Sequence, residues 1–290
     1  MRSYKFSRYL ISLITITVGL VISPQIYSIN NEVPVSGAGA HFSWTIMNDL
    51  QDKLEATTGN KIKLFGRESM LGAGCNAGIK HALSKPENGN TFGLVCCPLS
   101  NTEVDKKKLR VFPLALEPIL ILTHSTNPVN DLSSQQVRDI FSGKITNWKE
   151  VGGDDMAIVV VTRLHCKKRP GHWKTILPNA KAFTQKRMNV KSAADMVNRI
   201  SSFKGSFGHT GSAWLFNPDD KIKTLTVDGF KPTAKNLKTK NYPYYRQLSA
   251  VTSLKPSSDV LNVITQAQKL LQGSITAARY EILPLGVNEK

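Results

Sequence analysis

Apolar positions recur along this chain with two different periods, and the two alternate. Trp44, Met47, Leu50 and Leu54 stand at the spacing of one helical face and Gly59 stops the run, which predicts a helix over residues 43–58. Lys61 to Phe65 then alternates apolar and polar as a half-buried strand does. The short apolar runs Thr91–Val95 and Ala157–Thr162 read as buried strands. Ser133 is a good N-cap for a short helix with Val137, Ile140 and Phe141 on one face, and Gly143 falls where a left-handed C-terminal residue is wanted. Ser192 caps another helix carrying Ala194, Met196, Val197 and Ile200. Pro256 to Leu271 gives a further one with Val260, Leu261, Ile264 and Leu271. Alternating helix and strand signals, with no internal repeat and no low-complexity tract, argue for an α/β protein.

The first 28 residues stand apart from this pattern. Arg2, Lys5 and Arg8 precede an apolar run from Tyr9 to about Ile22, and polar residues lead to a small-residue cleavage site near Ser28. That is the three-part layout of a secretory signal peptide. An uncleaved anchor is the alternative, although the apolar core is shorter than the ~20 residues a spanning helix needs. No cysteine precedes Cys75, which excludes a lipidated N-terminal cysteine and makes the periplasm the expected location. Removing the leader leaves 290 − 28 = 262 residues, a length for one large domain or two ordinary lobes.

Charge narrows the partner. The chain has 38 Lys and Arg against 21 Asp and Glu, a net +17, of which the leader carries three, leaving 17 − 3 = +14. Such a balance points to an anionic ligand or surface. Nucleic acid is the rival partner for a basic protein. However, Lys221, Lys223, Lys231, Lys235, Lys238 and Lys240 are spread over a turn-rich stretch with Pro232 and Pro243, and no nucleic-acid-binding motif accompanies them. They read as a solvated face, and no nucleic acid is expected.

The most specific stretch is Asn127–Gly153, NPVNDLSSQQVRDIFSGKITNWKEVGG. Its FSGKITNW run followed by an Xaa-Val-Gly-Gly turn resembles a signature of the phosphate-type periplasmic solute-binding proteins, the PstS-like branch of the type 2 periplasmic binding protein superfamily. The resemblance implies a two-lobed α/β fold, each lobe a mixed sheet flanked by helices, with two hinge crossovers. Phe112–Thr123 and Tyr242–Thr252, both extended and broken by proline, match those crossovers. Lobe one would then be residues 33–114 plus 249–290, and lobe two residues 115–248. The implied function is a monomeric, non-enzymatic binding protein without a cofactor. It captures phosphate or a related anion for an ABC-type transporter or a sensor.

The resemblance also implies four ligand loops, in which backbone N–H groups at helix starts receive the anion. The first, Ser36–Phe42, supplies Ala40, His41 and Phe42, with His41 where the family has a hydroxyl residue. The second, Gly72–Lys80, supplies Cys75, Asn76 and Ala77 where the family offers serines; its glycine spacing fits neither dinucleotide nor Walker-type loops. The third, Phe92–Leu99, puts Cys96 near the family's acidic acceptor for the proton of hydrogen phosphate, so that selectivity loses its usual basis. The fourth begins at Arg163, a candidate bidentate clamp, and continues through Cys166, Lys167, Lys168 and Arg169. His209, in the strand-like GSFGHTGSAW, reads as a satisfied strand histidine.

All four cysteines, Cys75, Cys96, Cys97 and Cys166, fall in three of these loops and should converge on one cleft. Three states remain open. They are disulfides, favoured by an oxidising compartment; free thiols lining a pocket; or a soft metal site of Cys75, Cys96 or Cys97, and Cys166 with His41 or His172. A thiol-dependent periplasmic enzyme using Cys166 and His172 is the remaining alternative. No Gly-Xaa-Ser-Xaa-Gly elbow or suitably placed carboxylate pair supports an enzyme.

Overall fold

The structure is a computed structural model that describes residues 33–65, 74–84, 88–166, 169, 172–214 and 221–286. The expected leader, residues 1–28, lies outside them. Strand β1 (Val35–Gly39) turns into helix α1 (His41–Thr58), and β2 (Ile62–Phe65) returns beside it; α2 (Cys75–Ala82) and β3 (Thr91–Val95) follow. α1 ends where the apolar period does, at Gly59 with φ 71°, and buries Trp44, Met47, Leu50 and Leu54 as expected. Then come α3 (Asn101–Lys107), the long β4 (Leu109–His124), β5 (Asp131–Leu132), α4 (Ser134–Ser142) and β6 (Val159–Thr162). The remaining elements are β7 (Met188–Asn189), α5 (Ala193–Ser202), β8 (Ser206–Gly211), β9 (Ile222–Val227), α6 (Ala234–Lys238), β10 (Tyr245–Ser253), α7 (Ser258–Leu271), α8 (Ile275–Arg279) and β11 (Leu283–Pro284).

The strands form one mixed sheet path, β2-β1-β3-β10-β4-β8-β6-β7. β1 is parallel to β2 and β3, and β6 is parallel to β8 and β7. Between these parallel ends run β4 and β10, antiparallel to each other from Leu109 opposite Ser253 to Pro118 opposite Tyr245. Beyond Pro118, β4 leaves β10 and pairs with β8 and β9. The apolar core changes over at the same place. Leu114 and Ala115 belong to a core built with α1, α2 and α7, whereas Ile119 and Ile121 belong to another built around Phe141, Trp148 and Phe207.

The signature stretch folds as its sequence dictates. Ser133 and Gln136 form a reciprocal capping box, and Val137, Ile140 and Phe141 are fully buried. Each such side chain contributes about 1.5–3 kcal/mol by leaving water. Trp148 is also fully buried and its indole N–H donates to the Gly205 carbonyl at 3.0 Å, tying the signature to the start of β8. Two helical faces are rotated from expectation. α5 buries Ala193 with Met196 and Ile200, leaving Ala194 and Val197 half-buried, and α7 buries Val263 where Leu261 was expected. In both, the sheet beneath the helix selects the stripe, and neighbouring apolar residues cannot all occupy it.

Candidate functional site

In open α/β sheets, ligands gather beyond the carboxyl ends of parallel strands. Here β1 ends at Gly39 and Ala40 opens α1; β3 ends at Val95 and Cys96 follows; Cys75 is the first residue of α2. The three meet because α2 lies directly on the strand backbone. A Cβ on Gly93 would stand 2.1 Å from the Gly78 carbonyl oxygen, and one on Gly78 would stand 2.7 Å from that of Leu94. On the other parallel set, β6 ends at Thr162 and Arg163 follows.

The helix starts at this crevice differ from the rest. α3, α4, α5, α6, α7 and α8 are each capped by a Ser or Thr side chain, from Ser100, Ser133, Ser192, Thr233, Ser257 and Ser274. α1, opened by Ala40, and α2, opened by Gly74, have no side-chain cap. Their first-turn donors and the positive ends of their dipoles are therefore left for another acceptor.

The four cysteines converge, and all are free thiols. Cys75 Sγ lies 3.7 Å from Cys96 Sγ and accepts from the Cys96 backbone N–H at 3.3 Å. The sulfurs of Cys75, Cys96 and Cys97 lie within 4.8 Å of one another, as do the ligand atoms of Cys97, His165 and Cys166. Hydrogen bonds from the thiols of Cys166, Cys96 and Cys97 hold the Cys75 thiol well below its ordinary value. The hydrogen bond to Cys75, then burial, pushes Cys166 up to about 11. Cys75 and burial likewise raise Cys96, and hydrogen bonds to Cys166, Cys75 and Cys96 raise Cys97. The imidazole that joins the thiols is His165. His172 packs on it edge to face with ring centroids 4.4 Å apart. The side chain of His41 lies outside the described residues.

Guanidinium groups surround the thiols. Arg169, from the loop after β6, grips Glu103 of α3 through two hydrogen bonds of 3.0 and 2.7 Å and donates to Asn76 Oδ1 of α2 at 2.6 Å. That fork joins the two strand ends. It lowers the Glu103 carboxyl and raises the Arg169 guanidinium. Arg246 and Glu117 are strand partners on β10 and β4 and form a fully buried ion pair at 2.5 Å. Burial works against the Arg246 charge, but Glu117 together with Cys96 and Cys97 more than offsets it and the net shift is upward. Arg163 is half-buried, donates through Nε to the Lys191 carbonyl at 3.1 Å, and lies within electrostatic reach of Cys96, Cys166 and Cys97. A cavity of about 470 Å³ opens against Arg163 and His165 and is rimmed by Arg187 and Lys191.

The crevice thus gathers Ala40, Cys75, Asn76, Ala77, Cys96, Arg163, Cys166 and Arg169. Lys167, Lys168, and the side chains of His41 and Phe42 lie outside the described residues. Sequence reasoning passed over three participants. His165 was signalled only by adjacency to Cys166. Glu117 and Arg246 were signalled as single charges inside otherwise apolar crossing segments. The reading of His209 needs correction: it is 1 % exposed and neither ring nitrogen has a hydrogen-bond partner among the described residues. Burial first, then the positive neighbours, holds it neutral, with its pKa pushed down to about 3.

A family model described as a PBP superfamily domain matches residues 28–272, and the chain belongs to that superfamily. Within it, the chain is similar to the phosphate-binding protein PstS of Bacillus subtilis strain 168, at 32 % identity over 143 residues, 49 % of this chain and 46 % of that protein. The matched stretch spans about half the length of the curated relatives. Among solved structures, a Clostridium perfringens protein with bound phosphate superposes with a TM-score of 0.71 at 24 % identity, covering 87 % of this chain and all of that one (100 %). An ABC-type phosphate transport receptor from Vibrio cholerae gives 0.62 at 21 % identity, covering 86 % and 99 %. These likenesses agree with the resemblance read from the signature and with a two-lobed α/β fold.

Proposed function

We propose that this chain is a substrate-binding protein that captures an anion between two lobes, residues 33–114 with 249–290 and residues 115–248. The observation that carries this is the pair of uncapped helix starts, α1 and α2, at the ends of the parallel strands, with Arg163 within electrostatic reach of Cys96 just after β3. The ligand contacts would come from the backbone of Ala40–Phe42 and Cys75–Ala77, from Cys96, and from the cationic loop Arg163 to Arg169. Phosphate is the default ligand, supported by the names of the relatives. Delivery to an ABC-type membrane permease, a periplasmic location and a monomeric state complete the reading. Among the described residues no helix is long and apolar enough to cross a membrane.

Binding is favoured over thiol catalysis because the most accessible thiol, Cys166, is shifted upward, away from the thiolate a nucleophile needs. Calorimetry with phosphate near neutral pH tests the proposal. Saturable heat that Arg163→Ala abolishes is the expected result; no heat with phosphate would sink phosphate as the ligand.

A further inference from the structure

We infer that Cys75, Cys97 and Cys166, with Cys96 or His165 as the fourth donor, form a binding site for a thiophilic d10 cation of the Cu(I) or Zn(II) class inside this cleft. The inference goes beyond anion capture and does not depend on it.

Geometry is the first argument. Tetrahedral zinc–thiolate bonds of about 2.3 Å place two sulfurs of one shell ~3.8 Å apart. Cys75 and Cys96 are 3.7 Å apart, and the two overlapping groups of ligand atoms each fit within 4.8 Å. Cys97 belongs to both groups and is therefore the hinge of the site. The ligands come from the start of α2, the turn after β3 and the loop after β6, so no local CxxC spacing is needed. A site assembled from three loops is invisible to motif search.

Charge is the second argument. Deprotonated thiols are anions, and burying them is costly unless positive charge faces them. Cys75 stands at the first position of an uncapped helix, and Arg163, Arg169 and Arg246 lie around the cluster. Three thiolates on a monovalent ion carry a formal charge of roughly −2, and on a divalent ion roughly −1. A cradle arranged for a tetrahedral oxyanion is thus also a cradle for an anionic metal–thiolate complex. Binding is balanced without redox chemistry: each coordinating thiol loses its proton to solvent as its sulfur–metal bond forms.

Third, the site has a way in. Cys75, Cys96 and Cys97 are buried, whereas Cys166 and His165 are partly exposed, and His165 lines the open cavity. An ion would arrive on those two and be enclosed by the others.

The test uses the purified wild-type chain, reduced and free of affinity metal, so it does not depend on any variant folding. Zn2+ and Cu+ are titrated separately against chromophoric chelators, and native mass spectrometry counts bound ions. One ion per chain with a sulfur-dominated X-ray absorption shell at about 2.3 Å is expected. Cys97→Ser should weaken the ion at least about tenfold, by analogy with ligand-sphere losses, while Arg163→Ala should keep the stoichiometry and lose phosphate heat. Less than one equivalent bound by reduced wild type, a nitrogen- or oxygen-only shell, or a disulfide among these cysteines in protein recovered from the periplasm would each overturn the inference. Absence of phosphate heat in the wild-type protein, with metal binding intact, would overturn only the anion reading.

Discussion

His209 offers the sharpest quantitative test of the structure. It lies in β8 against Phe141, with ring centroids 5.6 Å apart, and against His172 at 5.3 Å. Its pKa falls from 6.5 to about 3 because burial removes water from the charged ring. Between those two values the unfolded chain binds a proton at this position and the folded chain does not, so stability falls as pH falls. The slope is about 1.4 kcal/mol per pH unit. Allowing for partial titration near the upper end, going from about pH 7 to about pH 5 costs roughly 2 kcal/mol for this ring alone. His209→Phe keeps an aromatic ring against Phe141 and removes the titration. At neutral pH the gain from deleting unpartnered nitrogens, ~1–3 kcal/mol, opposes an overpacking cost of similar size, so the neutral value decides nothing. The difference between pH values does. Urea unfolding of both proteins at the two pH values should show the variant gaining about 2 kcal/mol on the wild type at the lower one. Parallel stability curves would refute the claim that His209 is held neutral.

Other substitutions probe other parts of the argument. Glu117→Leu or Arg246→Leu alone should each cost about 3–5 kcal/mol in chemical denaturation, and the double variant should recover much of that loss, because a lone buried charge is worse than none. If both single variants were near neutral, the ion pair would not be buried as described. Gly78→Ala should lower stability by roughly 1–3 kcal/mol in thermal unfolding, because the new Cβ meets the Leu94 and Ala38 carbonyls at 2.7 and 2.9 Å and backbone cannot yield. Arg169→Met removes the fork to Glu103 and Asn76, and small-angle scattering should then report a larger radius of gyration than wild type. An unchanged radius would mean that this fork does not hold the loop after β6 against α2 and α3.

The scaffold was legible because burial and capping write themselves locally. The α1 face, its Gly59 stop, and the capping box of α4 each depend on residues a few positions apart. The chemistry of the crevice was legible only in part, because it is set by distance across the fold. Gly78 shows why. As a sequence feature it was one glycine of the Gly72–Lys80 loop, whose spacing fits neither dinucleotide nor Walker-type binding. In the structure its missing side chain lets α2 rest on β1 and β3, and that contact is what carries Cys75 to Cys96. Likewise, Glu103 and Arg169 are 66 positions apart, and no periodicity marks either one as half of a fork. His209 looked ordinary because a strand histidine normally finds a partner; its isolation depends on Phe141 and His172, which arrive from other elements.

Under the two proposals, the distribution of charge would let one cleft take two kinds of occupant. Two of its guanidinium groups are already matched, Arg246 by Glu117 and Arg169 by Glu103. What remains is Arg163, the dipoles of α1 and α2, and a set of thiols where the family's pattern has hydroxyls and a carboxylate. Replacing a carboxylate by a thiol removes a permanent negative charge and substitutes one that appears only when a proton leaves. The positive potential is therefore not neutralised in advance. An oxyanion can complete it directly, and thiolates can complete it when a cation compensates their mutual repulsion. Both proposed occupants would present a compact anion to the same helix starts, so the binding of either should weaken the other by the same factor.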